Sequence, residues 1–325
     1  MEGTMTAPQH IVFLDRETLP PETILREPGF PHRLTIHPRT AAHQVAERIA
    51  DADIVITNKV PVTADSIRHA PRSKLIAVAA TGYDIIDLTA CAERGITVSN
   101  IRDYAVNTVP EHTFALILAL RRSILAYHQS VARGDWVRSG QFCYFDYPVR
   151  NLAGSTLGII GSGSIGQAVA NLGRAFGMRV LFAGRKGAAD VAPSHVPFEK
   201  VLEESDVISL HCPLRPETRN LIGADEFALM KRRPLLINTA RGGLVDESAL
   251  CEALEKGQIA GAGFDVTTRE PMPDDHSFMR LMDRPDFILT PHVAWSSREA
   301  IQALADQLIE NIELFHKGTP RNVVR

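Results

Sequence analysis

The most informative segment of the chain reads Thr156-Leu157-Gly158-Ile159-Ile160-Gly161-Ser162-Gly163-Ser164-Ile165-Gly166. A short apolar run leads into a G-x-G-x-x-G loop, and an alanine-rich helical stretch follows the loop as far as Phe176. In such a unit the glycines allow a tight turn, a close backbone approach to a pyrophosphate, and packing of the helix on the strand. We therefore predict that this loop holds the phosphates of a dinucleotide at the helix N-terminus. The predicted contacts are Gly161, Gly163, Ser164, Ile165 and Gly166.

The same alternation of strand and helix extends over most of the chain. Uniformly apolar runs, which are typical of parallel strands buried on both faces, lie at residues 11–14, 54–56, 75–78, 156–160, 180–182, 207–210, 235–237, 263–265 and 287–289. Helix-like periodic stretches lie at residues 45–50, 104–132, 164–176, 198–203, 225–230, 247–255 and 297–315. This order predicts an α/β protein.

The length of 325 residues predicts two domains, at ~100–200 residues per domain. We expect a discontinuous first domain, residues 1–103 and 294–325, that flanks an inserted domain at residues 104–293. The glycine loop assigns dinucleotide binding to the inserted domain. The first domain is then expected to bind the substrate.

The composition excludes several classes of protein. Lys and Arg number 35 and Asp and Glu number 38, and no basic stripe is present that would bind nucleic acid or an anionic membrane. The main apolar run, residues 114–120, is far shorter than the ~20 residues that span a bilayer. Met1–His10 lacks the layout of a secretory signal, and the four cysteines lie far apart without metal-site spacing. We therefore expect a cytoplasmic protein that uses no metal ion.

An aromatic segment follows the helical stretch 104–132. Residues 135–154 show no clear periodicity, and they carry Trp136, Phe142, Tyr144, Phe145 and Tyr147. This segment is too apolar for a free linker, so we expect it to pack on a neighbouring surface. A second subunit would supply that surface, and we therefore expect a homodimer with a two-fold interface.

The end of the second strand of the inserted domain bears on the choice of cofactor. In NAD-binding versions of this unit an acidic residue stands there and binds the ribose hydroxyls. Here the strand ends at Gly184-Arg185-Lys186, without a carboxylate. A glycine followed by two cations would accommodate a 2′-phosphate through charge-assisted hydrogen bonds. We therefore favour NADP(H) as the cofactor, with NAD(H) also usable.

Three charged or titratable residues follow predicted strands of the inserted domain. Arg241 follows the strand at 235–237, Glu270 follows the strand at 263–265, and His292 follows the strand at 287–289. Because ligands gather at strand ends in open α/β sheets, we expect these side chains to converge. They would supply a clamp for a carboxylate, an imidazole acid or base, and a carboxylate that favours the protonated imidazole.

Several motifs extend this pattern, namely Leu235–Asp246, Gly261–Val266 with Glu270-Pro271, and Thr290-Pro291-His292. Together they resemble the signature of the D-isomer-specific 2-hydroxyacid dehydrogenases. The similarity continues through Ala79–Asp84, Asn107–Glu111, the glycine loop and His211–Leu214, so it covers nearly the whole chain. It implies two Rossmann-like, doubly wound parallel-sheet domains, with the nucleotide-binding domain inserted in a flavodoxin-like substrate domain.

The resemblance also implies roles for individual residues. Arg241 would bind the substrate carboxylate and the carbonyl oxygen, His292 would be the general acid or base, and Glu270 would keep the imidazole protonated. Further cofactor contacts are implied for Thr108, His211, Cys212, Pro213, Thr218, Thr239, Ala240, Arg241, Asp265 and His292. Substrate contacts are implied for Thr81, Gly82, Tyr83, Arg241 and His292. Trp295 is expected either to wall a small substrate pocket or to pack as a core residue.

Among the branches of this family, the chain is most similar to glycerate dehydrogenases that also reduce hydroxypyruvate and glyoxylate. That similarity rests on residues 141–148 and on His292-Val293-Ala294-Trp295. Two alternatives stay open. One is a non-enzymatic corepressor-like protein that senses a dinucleotide, since a fold alone does not settle function. The other is a dehydrogenase of another small acid, such as phosphite or formate, although formate offers no carbonyl oxygen for a general acid to protonate.

Overall fold

The computed structural model describes residues 8–188 and 190–324, and the chain divides into two compact units. One unit combines the residues up to Tyr104 with those from Ser297 onward, and the other runs from Ala105 to Ser296. Both contain a parallel sheet, which confirms the predicted fold class. Residues 1–7, which carry most of the segment inspected for a secretory signal, lie outside the described residues. Within the described part, no helix has the length and apolar character needed to cross a bilayer.

The strands and helices follow the predicted alternation. The strands are β1 (Gln9–Phe13), β2 (His32–Ile36), β3 (Ile54–Thr57), β4 (Leu75–Val78), β5 (Thr97–Ser99), β6 (Thr156–Ile160), β7 (Arg179–Phe182), β8 (Val207–Leu210), β9 (Leu235–Asn238), β10 (Gly261–Phe264) and β11 (Phe287–Leu289). The helices are α1 (Val45–Ile49), α2 (Ala64–Arg68), α3 (Leu88–Glu93), α4 (Thr108–Arg121), α5 (Ile124–Ala132), α6 (Asp135–Ser139), α7 (Ser164–Ala175), α8 (Phe198–Glu204), α9 (Ala224–Leu229), α10 (Glu247–Glu255) and α11 (Arg298–His316).

The first unit is built on a parallel sheet with the strand order β2-β1-β3-β4-β5. This is the order of flavodoxin-like folds. Every residue of β3 and β4 is buried, as expected for central strands that are covered on both faces. α11 contacts β4 and buries an apolar stripe that includes Leu304, Leu308 and Ile312. The two ends of the chain therefore share one core.

The second unit contains a parallel sheet with the order β11-β10-β9-β8-β6-β7. Its first strand, β6, lies between β7 and β8, so the strand order reverses there. In such sheets, ligands bind beyond the carboxyl ends of the strands at this reversal point. The glycine loop leaves the carboxyl end of β6, and therefore starts at that position.

The helical stretch predicted as one helix over residues 104–132 is two helices, α4 and α5, so that prediction was wrong. The chain changes direction at Ser123, whose φ of 51° lies in the left-handed region. Its hydroxyl donates to the carbonyl oxygen of Pro148 at 2.7 Å. The apolar period continues across the break, which is why the periodicity did not show it.

The segment after β7 is a loop that pairs with the end of that strand through a single bridge. Ala183 forms an isolated bridge with Val196, and the Gly184 N–H donates to the Val196 carbonyl at 2.8 Å. A Cβ at Gly184 would lie 2.3 Å from Cγ1 of Val191, so the turn needs a glycine. In the described part of this loop, residues 184–188 and 190–196, His195 contacts the glycine loop.

Candidate functional site

Two glycines of the loop between β6 and α7 have surroundings that admit no side chain. Gly161 has φ +107°, and a Cβ there would lie 2.5 Å from the carbonyl carbon of His211. A Cβ on Gly166 would lie 2.0 Å from the carbonyl oxygen of Gly161. The loop therefore packs against the segment after β8, and α7 packs against the loop.

Gly163 differs from these two glycines because its surroundings are open. It adopts an ordinary φ of −68° as the N-cap of α7, and a Cβ there would meet no atom within 4 Å. A glycine supplies no side-chain cap, so the first-turn N–H groups, including those of Ser164 and Ile165, remain at the positive end of a 12-residue helix. An open surface with backbone donors at a helix N-terminus fits the pyrophosphate of a dinucleotide.

The two cations after β7 have different surroundings. Lys186 Nζ lies 2.7 Å from Oε1 of Glu226, a carboxylate whose other oxygen accepts the Gly223 N–H at 2.9 Å. Arg185 is exposed, and within the described residues its guanidinium has no hydrogen bond or ion pair. Lys186 is thus engaged by the protein, whereas Arg185 is available to a ligand.

His195 lies at the same corner, and the sequence reasoning missed it. Its Nε2 is 3.0 Å from Oγ of Ser162 in the glycine loop, and its Nδ1 is 3.0 Å from Oγ of Ser194. Its ring also lies against Phe182, with centroids 5.9 Å apart. His195 thus joins the loop after β7 to the loop after β6. The signal available in the sequence was a histidine close to the strand end that bears on cofactor choice.

The segment after β8 presents uncharged groups to the glycine loop. Desolvation lowers the pKa of His211 to about 4, so its ring is neutral near pH 7, and Nε2 lies 2.8 Å from Oγ of Ser209. Burial raises the pKa of Cys212 to about 11, which keeps this thiol protonated. The Thr218 hydroxyl donates to the Pro213 carbonyl at 2.8 Å and so fixes the following turn.

The turn after β9 is held by Asn238, a fully buried residue that the sequence reasoning did not single out. Its Nδ2 donates to the Arg241 carbonyl at 2.8 Å, and its Oδ1 accepts the Ala240 N–H at 3.1 Å. Oγ1 of Thr239 lies 3.1 Å from Oγ1 of Thr113 on α4. These contacts fix the backbone from which the half-buried Arg241 side chain extends.

The structure brings His292 and Glu270 into direct contact. Nδ1 of His292 lies 2.6 Å from Oε2 of Glu270, and Oε1 of Glu270 accepts the Thr267 N–H at 3.0 Å. The two side chains are 25% and 35% exposed, so the pair borders solvent. Because Nδ1 is engaged, Nε2 is the nitrogen that can exchange a proton with a ligand, and no described residue forms a hydrogen bond with it.

The backbone at His292 is strained, with φ at 56° in the left-handed region. Asp265, which is 1% exposed, holds this turn. Its carboxylate accepts the N–H groups of Val293 at 2.9 Å and Ala294 at 2.8 Å, and also the hydroxyl of Thr290. Asp265 therefore fixes the position of His292, which is a task beyond the cofactor contact predicted for it.

Two further predicted residues lie beside this turn. The Thr108 hydroxyl, at the start of α4, donates to the Ala294 carbonyl at 3.1 Å. The indole N–H of Trp295 donates to the His292 carbonyl at 2.9 Å, and the residue is half-buried. Trp295 thus supports the strained backbone of His292.

Thr81, Gly82 and Tyr83 belong to the first unit, where they follow β4. The Thr81 hydroxyl donates to the Ile101 carbonyl at 2.8 Å, and its carbonyl accepts from Nδ2 of Asn100 at 2.8 Å. Tyr83 is 36% exposed. These contacts hold the loop at the carboxyl edge of its own sheet.

The aromatic segment folds back on α5 with its tyrosines and exposes its phenylalanines. Tyr127 of α5 donates its hydroxyl to the Tyr147 carbonyl at 2.8 Å, and Tyr144 donates to Oγ of Ser130 at 2.7 Å. By contrast, Phe142 is 94% exposed and Phe145 is 84% exposed. The segment also contains the short helix α6, which the sequence reasoning did not predict.

Comparison with known proteins identifies relatives across the full length of the chain. Residues 114–294 match the model of the family described as "D-isomer specific 2-hydroxyacid dehydrogenase, NAD binding domain". Glycerate dehydrogenase of Methylorubrum extorquens is 53% identical over 317 residues, which cover 97% of this chain and 98% of that protein. Hydroxypyruvate reductase of Blautia hydrogenotrophica is 38% identical and covers 88% of both chains.

Among solved structures, an acyclic imino acid reductase (Bsp5) in complex with NADPH and D-Arg superposes with a TM-score of 0.82. It is 30% identical in sequence, and the match covers 98% of this chain and 100% of that one.

Proposed function

The chain belongs to the D-isomer specific 2-hydroxyacid dehydrogenase family, and we propose that it reduces hydroxypyruvate or glyoxylate with NADPH. It is an oxidoreductase of 2-hydroxy acids that uses a nicotinamide dinucleotide. The substrate proposal is supported by the glycerate dehydrogenase and hydroxypyruvate reductase relatives. The contact of 2.6 Å between His292 and Glu270 carries the proposal, because a carboxylate at Nδ1 leaves His292 able to donate from Nε2 the proton that reduction of a 2-oxo acid requires.

Each member of the proposed catalytic set has a distinct task. A bound nicotinamide supplies the hydride to the carbonyl carbon. Arg241 pairs with the substrate carboxylate, and its guanidinium also stabilises the negative charge that develops on the carbonyl oxygen. His292 donates the proton on Nε2 to that oxygen, while Glu270 accepts the hydrogen bond from Nδ1 and stabilises the imidazolium. Oxidation of the hydroxy acid reverses each transfer.

We assign the dinucleotide to the second unit and the remaining substrate contacts to the first. The glycine loop, the open face of Gly163, and the segments around Thr218, Thr239 and Asp265 all belong to the second unit. Thr81, Gly82 and Tyr83 belong to the first. Because backbone N–H groups suit a carboxylate, Gly82 and its neighbours would hold the substrate carboxylate.

A steady-state screen of small 2-oxo acids with NADPH and NADH tests the proposed reaction. We expect turnover with hydroxypyruvate or glyoxylate, measured as loss of absorbance at the nicotinamide band. Turnover with neither acid, but with a longer 2-oxo acid, would overturn the substrate assignment. Tight dinucleotide binding without turnover of any acid would instead support a sensor.

The preference for NADPH rests on the loop after β7. Gly184 occupies the position at which NAD-binding versions carry an acidic residue. The adjacent Arg185 is exposed and available to a 2′-phosphate, as described above. His195 brings this loop within 3.0 Å of the glycine loop. An NADPH complex also occurs in a structure that superposes on this chain.

Arg185→Ala tests the cofactor preference, with Lys186→Met as its matched control. We expect Arg185→Ala to raise the KM for NADPH about 10-fold or more and that for NADH less than twofold, because one charge-assisted contact to phosphate is lost. Lys186→Met removes a cation that Glu226 already engages, so we expect it to leave both KM values nearly unchanged. Equal effects of Arg185→Ala on both cofactors would contradict the assignment.

We propose that the protein is a homodimer that buries Phe142 and Phe145. Both phenylalanines are more than four-fifths exposed in the chain, and side chains of this kind form the apolar cores of subunit interfaces. Light scattering should give twice the chain mass of 35.7 kDa. The double variant Phe142→Ser, Phe145→Ser should shift the protein toward one chain mass. A monomeric wild type at micromolar concentration would refute the proposal.

The cellular location that we propose is the cytoplasm. All four cysteines are free thiols, and two of them, Cys143 and Cys212, are not fully buried. Free thiols persist in a reducing compartment.

A further inference from the structure

A half-buried carboxylate outside the catalytic set, that of Glu247, joins the loop after Arg241 to the loop that carries Glu270. Glu247 is the first residue of α10, directly beyond the Arg241 turn, and its side chain is 11% exposed. Its Oε1 accepts the Thr268 N–H at 2.7 Å, and its Oε2 accepts the Thr268 hydroxyl at 2.6 Å. Both oxygens of the Glu247 carboxylate thus accept hydrogen bonds from Thr268, a residue of the loop that carries Glu270.

The two loops also touch through their backbones at Gly242. A Cβ there would lie 2.0 Å from the carbonyl carbon of Thr267 and 2.3 Å from the nitrogen of Thr268. The Thr267 N–H in turn donates to Oε1 of Glu270 at 3.0 Å. The position of Thr268 therefore determines where the Thr267 N–H holds Oε1 of Glu270. It thereby also determines where Oε2 of Glu270 contacts His292.

A histidine faces the Glu247 carboxylate from the other side. Nε2 of His276 lies 3.0 Å from Oε2 of Glu247, and the His276 side chain is 7% exposed. Its Nδ1 accepts the Phe278 N–H at 3.2 Å, so the ring proton is on Nε2, the nitrogen that faces the carboxylate. Nε2 forms no hydrogen bond with any described residue, so its contact with Oε2 is electrostatic, and the carboxylate lies between His276 and Thr268.

Capping of α10 does not account for this arrangement. Asp246 already caps the helix, since its Oδ1 accepts the N–H groups of Ser248 and Ala249 at 3.0 Å. Burial of a charged group without compensating contacts is costly. Here the compensating contacts are the two hydrogen bonds that Thr268 of the neighbouring loop donates to the Glu247 carboxylate.

We propose that Glu247, held by His276, is a positioning residue that sets Glu270 against His292 through Thr268 and Thr267. The inference rests on the proposed function for its catalytic consequence. Glu247 acts on the reacting atoms indirectly, through these residues. Its loss should therefore change proton delivery while leaving dinucleotide binding in place.

Thr268→Val provides the first test, with Thr268→Ser as the conservative variant. Valine keeps the shape and the N–H but removes the hydroxyl that binds Oε2. We expect kcat to fall about 10-fold, because small displacements of catalytic groups are costly. The Kd for NADPH should stay within twofold of wild type, and Thr268→Ser should restore kcat.

The split between kcat and KM distinguishes positioning from a loss of folded protein. Glu270 contacts the ring that donates the proton, so its displacement should lower kcat and leave the KM for the 2-oxo acid within about twofold of wild type. A structural role would lower the amount of active enzyme, and kcat per NADPH-binding site would then stay unchanged.

Glu247→Gln tests the carboxylate itself, and Glu252→Gln is its control on the same helix. Glu252 is an exposed partner of Lys256. Its replacement therefore changes the charge of α10 and leaves the contacts between Glu247 and Thr268 unchanged. We expect kcat per NADPH-binding site to fall in Glu247→Gln and not in Glu252→Gln. This variant also keeps the proposal testable if Thr268→Val fails to fold.

The NMR signal of the His292 Nδ1–H separates failure of this proposal from failure of the proposed function. This proton lies in the 2.6 Å contact with Oε2 of Glu270, and the signal, assigned with His292→Asn, requires no turnover. An upfield shift of the signal in Thr268→Val, as expected when the contact lengthens, supports the positioning role even if no 2-oxo acid is reduced. An unchanged signal in both Thr268→Val and Glu247→Gln would overturn the proposal, whatever the activity of wild type.

Discussion

Replacing Gly163 with alanine should separate cofactor binding from folding stability. The residue has φ −68°, which alanine adopts freely, and the added Cβ meets no protein atom within 4 Å. In a position of this kind, alanine stabilises the folded chain by about 0.4–1 kcal/mol, because it restricts the unfolded state. The Tm should therefore stay constant or rise by about 1–4 °C.

The same methyl group would occupy the space that a pyrophosphate needs beside the helix N-terminus. Displacement of the phosphate by the methyl group removes at least one hydrogen bond to a charged acceptor, worth about 1.5–3 kcal/mol. That free energy corresponds to about a 10- to 150-fold rise in the Kd for NADPH. Fluorescence titration with NADPH measures the Kd, and calorimetry measures the Tm.

Gly223→Ala is the matched control for this substitution. Gly223 has φ −126°, and a Cβ there would make ordinary contact with Oε2 of Glu226 at 3.5 Å. We expect this variant to bind NADPH as wild type does. A Gly163→Ala protein with normal Tm and a Kd within twofold of wild type would refute the reasoning, since the dinucleotide would not then lie against Gly163.

Three further predictions concern the segments around the catalytic pair. His292→Asn should lower kcat by about 10²-fold or more, as expected for loss of a general acid, and a nearly normal kcat would assign proton delivery to another group. Trp295→Phe removes the hydrogen bond to the His292 carbonyl, and kcat should fall about 2- to 10-fold; equal values for both proteins would show that the strained turn holds without it. His211 has a folded pKa of about 4, below the ~6.5 of an unfolded chain, so the unfolded state binds the proton first and stability falls as the pH drops from 6.5 to 4. Denaturant titrations should show a loss of about 3 kcal/mol over that range that His211→Gln lacks, and identical acid sensitivity of the two proteins would contradict the assignment.

The central strands and the glycine loop were predictable because burial and chemistry both constrain their residues. β3, β4 and β6 are buried throughout, so their sequences are predominantly apolar. β2 was missed because its residues are half-buried or exposed, which leaves no apolar run to detect. β5 was missed because it has three residues, too few to show a period.

The proposed catalytic residues could be predicted from their positions after predicted strands and from the motifs that contain them. Motifs record which residue types recur at the site, so they pointed to Arg241, Glu270 and His292. They do not record which backbone groups those side chains bind. For that reason the roles of Asn238 in the Arg241 turn and of His195 beside Ser162 emerged only from three-dimensional contacts.

The break between α4 and α5 shows a different limit. The apolar positions continue in helical register past Ser123, and local propensity gives no reason for a turn. At the turn, the Ser123 hydroxyl donates a hydrogen bond to the Pro148 carbonyl, a partner 25 residues away. Periodicity within one window cannot report a contact of that separation.

The sharing of one core by both ends of the chain has a consequence during synthesis on the ribosome. α11 covers β4, and near the carboxyl end the Val324 N–H donates to the Val98 carbonyl at 2.9 Å. Residues 8–104 therefore leave the ribosome first, but α11, the last helix of their unit, is synthesised only after almost the entire polypeptide. The intervening unit, by contrast, has all of its strands outside the exit tunnel earlier. The nascent protein should thus acquire its nucleotide-binding half before its other half can close around a complete core.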